Sequence, residues 1–243
     1  THFVDPHGLT EDDDCCVWIT IIIKVPGAGD PDKLGRLGLS GHTGIAVGSG
    51  CNEDYDPDAT DFFDFGPATV KGASGPFETG APWWDRKDVP IKNSNGQIIR
   101  IKKGAPEGPG SNLNDILANL DVLRDGLEVW EVRFQVKKAQ ADRVKGFWQH
   151  IYKTPPMYSL PGFQCTSSVR TSLQISGLWY DEHFNKHIGS PLASVSAMLN
   201  VGPLSPQDFL KKIEKNVRNT CGPDAGEPAT LTKIRDAGEN NDN

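Results

Sequence analysis

Residues 15–25 read CCVWITIIIKV, and seven of these eleven positions carry the β-branched side chains of Val, Ile or Thr. Such a run reads as a buried strand, so the fold must build a sheet around it. Its apolar centre, VWITIII at 17–23, is too short to cross a membrane, and no 18-residue apolar window occurs elsewhere. The stretch HTGIAVG (42–48) reads as a second strand and DFFDFG (61–66) as a third. Together they predict a hairpin whose tip is the polar connection 49–60. LEVWEVRFQV (127–136) alternates as a further strand.

Helices are predicted over 111–126, 139–154, from Cys165 to about Gly177, and over 205–219. The last has Ser205 at its cap and Pro206 at the first helical position. Between 67 and 111 the chain is rich in Gly and Pro, with one small hairpin turning at Asn95–Gly96. The expected fold is α+β: a small antiparallel sheet packed against the helix that begins at Cys165. The expected boundaries are a loose, acidic N-terminus (1–14), one domain over 15–221, and a disordered polar tail (222–243).

The 243 residues carry a net charge of −7 and no basic stripe, which argues against nucleic-acid binding. No signal peptide opens the chain and it does not start with Met, so its front is expected to be trimmed. The cysteines are Cys15, Cys16, Cys51, Cys165 and Cys221, with no CxxC pair. A zinc site is therefore not expected. An oxidising compartment would allow two disulfides and leave one thiol over; in a reducing one all five could be free.

Cys165 stands out within LPGFQCTSSVRTSL (160–173). Pro161 and Gly162 break the preceding chain, and Thr166, Ser167 and Ser168 suit a helix start. A thiol at that place faces free N–H groups and the positive end of a helix dipole, which favour the thiolate. The competing reading is a small buried core residue. A nucleophilic thiol also needs a base and a group to orient that base. Of six histidines, His2 and His7 lie in the loose N-terminus, and His150 lies late in a helix. His183 and His187 have metal-like spacing but no evident third ligand. His42 opens a strand amid Gly41, Gly44 and Gly48, where a base would have rigid backbone beneath it and room for substrate beside it. On the returning strand, Asp64 is the expected orienting carboxylate, with Asp61 as the alternative. A one-residue slip would put Phe63 there instead. Trp83, Trp84 and Tyr158 are candidates for lining a substrate cleft.

The ordered motifs GHTGIAV, FFDFGP and GFQCTSSV, with His first and Cys last, resemble the circularly permuted branch of the NlpC-type papain-like superfamily. That resemblance implies a papain-like thiol amidohydrolase, peptidase or acyltransferase with Cys165 and His42 as the dyad and no metal or organic cofactor. Many members cut amide bonds in peptidoglycan stem peptides. Many also place His at the third position, where this hairpin offers Asp. A chain without a signal that carries such a site is further similar to antibacterial effectors delivered by type VI secretion. That likeness implies a peptidoglycan peptide substrate, an immunity protein as partner, and action in the periplasm of a target cell. The alternatives are an acyltransferase or thioesterase on the same scaffold, or a non-catalytic binding module.

Overall fold

The computed structural model describes residues 15–26, 41–51, 54–67, 78–81, 86–92, 98–106, 113–119, 127–158, 164–179 and 205–235. In chain order the strands are β1 (Cys16–Pro26), β2 (His42–Gly48), β3 (Thr60–Asp64), β4 (Gly66–Pro67), β5 (Glu78–Ala81), β6 (Arg86–Lys92), β7 (Ile98–Pro106), β8 (Leu127–Lys137), β9 (Met157–Tyr158) and β10 (Thr230–Arg235). The helices are α1 (Leu113–Asn119), α2 (Lys138–Lys153), α3 (Cys165–Ile175) and α4 (Pro206–Asn216).

The class is α+β. Five strands form one sheet in the order β10-β8-β1-β2-β3, and every neighbouring pair in it is antiparallel. The apolar run at 15–25 is its central strand. Side chains alternate across a strand, so Ile19, Ile21 and Ile23 join one core with Val144 and Trp148 of α2, Val169 and Leu173 of α3, and Phe209 and Ile213 of α4. Ile22 faces the other way, into a smaller cluster with Phe62 and with Leu113 and Ile116 of α1. Because both faces of β1 are covered, its sequence is apolar nearly throughout. A three-stranded sheet (β4-β5-β9) and the β6–β7 hairpin complete the described strands. That hairpin flanks Asn95–Gly96, which itself lies outside the described residues.

One boundary differs from expectation. The tail predicted from 222 onward is ordered well past that point: residues 230–235 pair with β8 as an edge strand. Its composition is polar because one face meets solvent, and Leu231 supplies the side chain that packs on the core. The return is fixed by Asn219, whose Oδ1 accepts from Gln135 N–H and whose Nδ2 donates to the carbonyls of Glu227 and Pro228. The helix predicted over 111–126 is described only as the shorter α1.

Four of the five cysteines form disulfides, Cys15–Cys51 and Cys16–Cys221. Adjacent strand residues point to opposite sides, so the vicinal pair staples two different segments to the start of β1. Cys165 is the free thiol. The Cys16–Cys221 bond closes a separation of 205 residues. Chain entropy then predicts that Cys16→Ser/Cys221→Ser loses about 3–5 kcal/mol of stability. Urea unfolding measures this, and a loss under about 1 kcal/mol would mean that the cross-link hardly restrains the unfolded chain.

Candidate active site

The helix α3 is unusual in being buried on every side: each residue from Cys165 to Gln174 is buried, including Ser167, Ser168, Arg170, Thr171 and Ser172. Small hydroxyl side chains make this tolerable because they can bond to their own helix. Ser168 Oγ donates to the Cys165 carbonyl and Ser172 Oγ to that of Val169, each at 2.7 Å. At its N-terminus, Ser167 Oγ accepts from Gln164 N–H at 2.7 Å. At its C-terminus, Gly177 takes a left-handed φ of 71°, and Leu178 N–H reaches back to the Leu173 carbonyl at 2.8 Å. This Schellman closure satisfies carbonyls that would otherwise be buried without partners. The helix is thus self-contained, and its first residue, Cys165, is held in a fixed place.

That place is the end of the sheet where β2 begins. Thr43 Oγ1 and Thr166 Oγ1 share a hydrogen bond of 3.1 Å, which ties the first turn of α3 to β2. One residue earlier, His42 Nε2 lies 2.7 Å from Asp64 Oδ2. The register explains the pairing. Gly44 stands opposite Asp64 and Ala46 opposite Phe62, so His42, two residues before Gly44, shares their face. Asp61 stands opposite Val47, on the other face, where it is exposed and ion-paired with Lys145 of α2 at 2.9 Å. Of the two candidate carboxylates, Asp64 meets the histidine and Asp61 does not.

The His42 ring and the Cys165 thiol also interact, and each shifts the other's ionisation. With Nε2 engaged by Asp64, Nδ1 is the nitrogen left for sulfur. All three groups are enclosed: Asp64, Cys165 and His42 are 0, 3 and 8% exposed. Burial alone pulls the His42 pKa down. The Cys165 charge, hydrogen bonding to Asp64 and Cys165 as acceptors, and the Asp64 charge outweigh it and push the imidazole up to about 9. For Cys165, burial raises the pKa. The His42 charge and hydrogen bond, the Thr166 hydroxyl and the Thr43 backbone N–H outweigh that and lower it. The helix N-terminus acts in the same direction. Both directions favour a thiolate–imidazolium pair with a carboxylate behind the imidazolium.

Sequence reasoning missed the close neighbours of the sulfur. Gln164 is buried, with Oε1 3.4 Å from Cys165 Sγ, and Thr166 Oγ1 is 3.7 Å away. Their adjacency to Cys165 was the only available signal. The glycines around His42 also do something other than expected. A Cβ at Gly44 would lie on the Phe62 ring, and one at Gly41 would meet the Lys24 carbonyl at 2.7 Å and the Pro206 side chain at 2.8 Å. They admit packing neighbours, where the sequence suggested space for substrate. Trp83, Trp84, His2, His7, His183 and His187 lie outside the described residues. Tyr158 pairs through its backbone with Glu78, and its side chain is likewise outside them. His150 is exposed on α2. Among the described residues no group of three or more His, Cys, Asp or Glu is placed to hold a metal ion, and no helix is long and apolar enough to cross a membrane.

No protein-family model, curated protein or solved structure matches this chain.

Two titrations follow from the pair. The stability gained from the raised His42 is fully present below the ordinary histidine pKa and is lost as pH rises through about 9. That from the lowered Cys165 is present above the ordinary thiol value and is lost as pH falls through its depressed one. Alkylating Cys165 removes the charge that holds His42 up. The His42 midpoint, followed by NMR, should then drop below about 9. A midpoint that alkylation leaves in place would mean that the two groups do not interact.

Proposed function

We propose that this protein is a papain-like cysteine hydrolase that cleaves an amide bond, with peptidoglycan stem peptides as its substrate. The observation that carries the reading is the buried line of Cys165, His42 and Asp64, with the nucleophile at the first residue of a helix. The ordered likeness to permuted NlpC-type enzymes supplies the substrate class. Both disulfides favour an oxidising compartment, which agrees with action in the periplasm of a target cell after delivery by type VI secretion. Such a toxin needs an immunity protein in the cell that makes it.

In the reaction, the Cys165 thiolate attacks the amide carbonyl and a C–S bond forms. The oxyanion takes a hydrogen bond from the Cys165 backbone N–H at the helix start. His42 gives its Nδ1 proton to the leaving amine as the C–N bond breaks. Water then enters, loses a proton to His42, and displaces the thiolate from the thioester, releasing a carboxylic acid. Asp64 accepts from Nε2–H throughout, which fixes the tautomer and supports the cation. The chemistry calls on no metal or organic cofactor.

Digestion of purified peptidoglycan, with new amine ends identified by mass spectrometry, tests the reading. Cys165→Ala and His42→Ala should abolish cleavage. Asp64→Ala should lower it by about two to four orders of magnitude, because an orienting group matters less than the nucleophile. Asp61→Ala should keep the full rate. Circular dichroism should show each variant folded. Intact stem peptides beside a hyper-reactive Cys165 would overturn the substrate and keep the nucleophile. Acyl transfer to an added amine in place of hydrolysis would turn the assignment to an acyltransferase.

A further inference from the structure

Asp64 ends β3, and β3 is an edge strand of the five-stranded sheet. A β residue directs its N–H and C=O to the same side. At Asp64 that side faces outward, away from β2. Among the described residues, both groups there meet a side chain from α2. Asp64 N–H donates to Tyr152 Oη at 2.9 Å, and Tyr152 O–H donates to the Asp64 carbonyl at 3.0 Å. One hydroxyl thus does the work of a neighbouring strand at the residue whose carboxylate holds the histidine. The Tyr152 ring is itself braced, with its centroid 6.0 Å from those of both Phe63 and Trp148.

We propose that Tyr152 is a positioning residue for the Cys165–His42–Asp64 line: by gripping both backbone groups of Asp64 it sets the place from which the carboxylate meets His42. The inference rests on the hydrolase reading, but its test needs no substrate. A chain end or edge residue held by packing alone can shift by tenths of an ångström, and a charge-assisted bond of 2.7 Å is sensitive to such shifts. A looser Asp64 supports the imidazolium less, and the imidazolium in turn supports the thiolate less. Among the described residues the ionisable groups about His42 are Asp64 on β3, Cys165 on α3, and Lys24, its register partner on β1. Tyr152→Phe alters none of them. It also keeps the ring that packs on Phe63 and Trp148.

The measurement is the rate of iodoacetamide alkylation of Cys165 across about pH 5–10 in the disulfide-intact protein, where it is the one free thiol. The wild type should show a depressed midpoint. In Tyr152→Phe that midpoint should rise by about half a unit to one unit, and alkylation at a pH below the wild-type midpoint should slow about three- to tenfold, a tenfold change in thiolate corresponding to one unit. Ile213→Val, in the core beneath α4, is the control. It should lower thermal stability by a similar amount and leave the profile alone. A depressed wild-type midpoint that Tyr152→Phe leaves in place, whatever its melting temperature, overturns this inference alone. An ordinary thiol midpoint in the wild type overturns the hydrolase reading and this inference with it. Should Tyr152→Phe fail to fold, 3-fluorotyrosine at position 152 of the otherwise unchanged chain provides the second readout. Its fluorine resonance should titrate with the midpoint of Cys165 alkylation, and a resonance flat through that range overturns the proposal.

Discussion

The site depends on a helix that has no solvent-exposed face before its last turn. Burying α3 along its length demands side chains small enough to let sheet and helices close around it, and polar groups that satisfy themselves. The serines meet both demands. Their hydroxyls bond to carbonyls three or four residues back, so no external polar partner is required of them. Once the helix is enclosed, its first residue cannot drift, and the Thr43–Thr166 bond indexes that residue to β2. The position of the sulfur thus follows from packing along eleven residues.

Around that fixed sulfur the electrostatics are collective. An imidazolium buried alone would lose its proton, and a thiolate buried alone would gain one. Here each charge favours the other, and the carboxylate behind the ring adds to the support of the imidazolium. Two negative groups flank one positive group, and the N-terminus of α3 offsets the remaining negative charge. On the proposed reading, a backbone grip on Asp64 bears in this way on the ionisation of the sulfur.

Much of this was legible in the chain. The β-branched run announced a buried strand, and the Pro-Gly break before Cys165 announced a helix start. The identity of the third residue depended on register. The sequence alone left Asp61 and Asp64 open, because a shift by one residue exchanges the faces of a strand. The pairing of Gly44 with Asp64 decides it through contacts between β2 and β3 that leave no mark in composition. Tyr152 was illegible for a similar reason. It sits in an amphipathic helix among Phe147, Trp148 and Ile151, where an aromatic residue reads as core. Its hydroxyl matters only because a strand edge 88 positions away arrives beside it. β10 was hidden by the opposite bias, since an edge strand with one face in solvent has the composition of a loop.

The placement of the cross-links has its own consequence. His42 pairs with Lys24 near the end of β1, whereas both disulfides gather at its start, at Cys15 and Cys16. Lys24 and Cys16 are eight residues apart (24 − 16), which in an extended strand is about 26 Å. Thiolates attack disulfides, and a thiol whose pKa lies near the ambient pH does so best. A protein that carries a free thiol beside two S–S bonds is therefore a candidate to scramble itself. Here the length of the sheet is an insulator. In the folded state the Cys165 sulfur and the bonded ones are held near opposite ends of β1, so the cross-links are kept out of its reach.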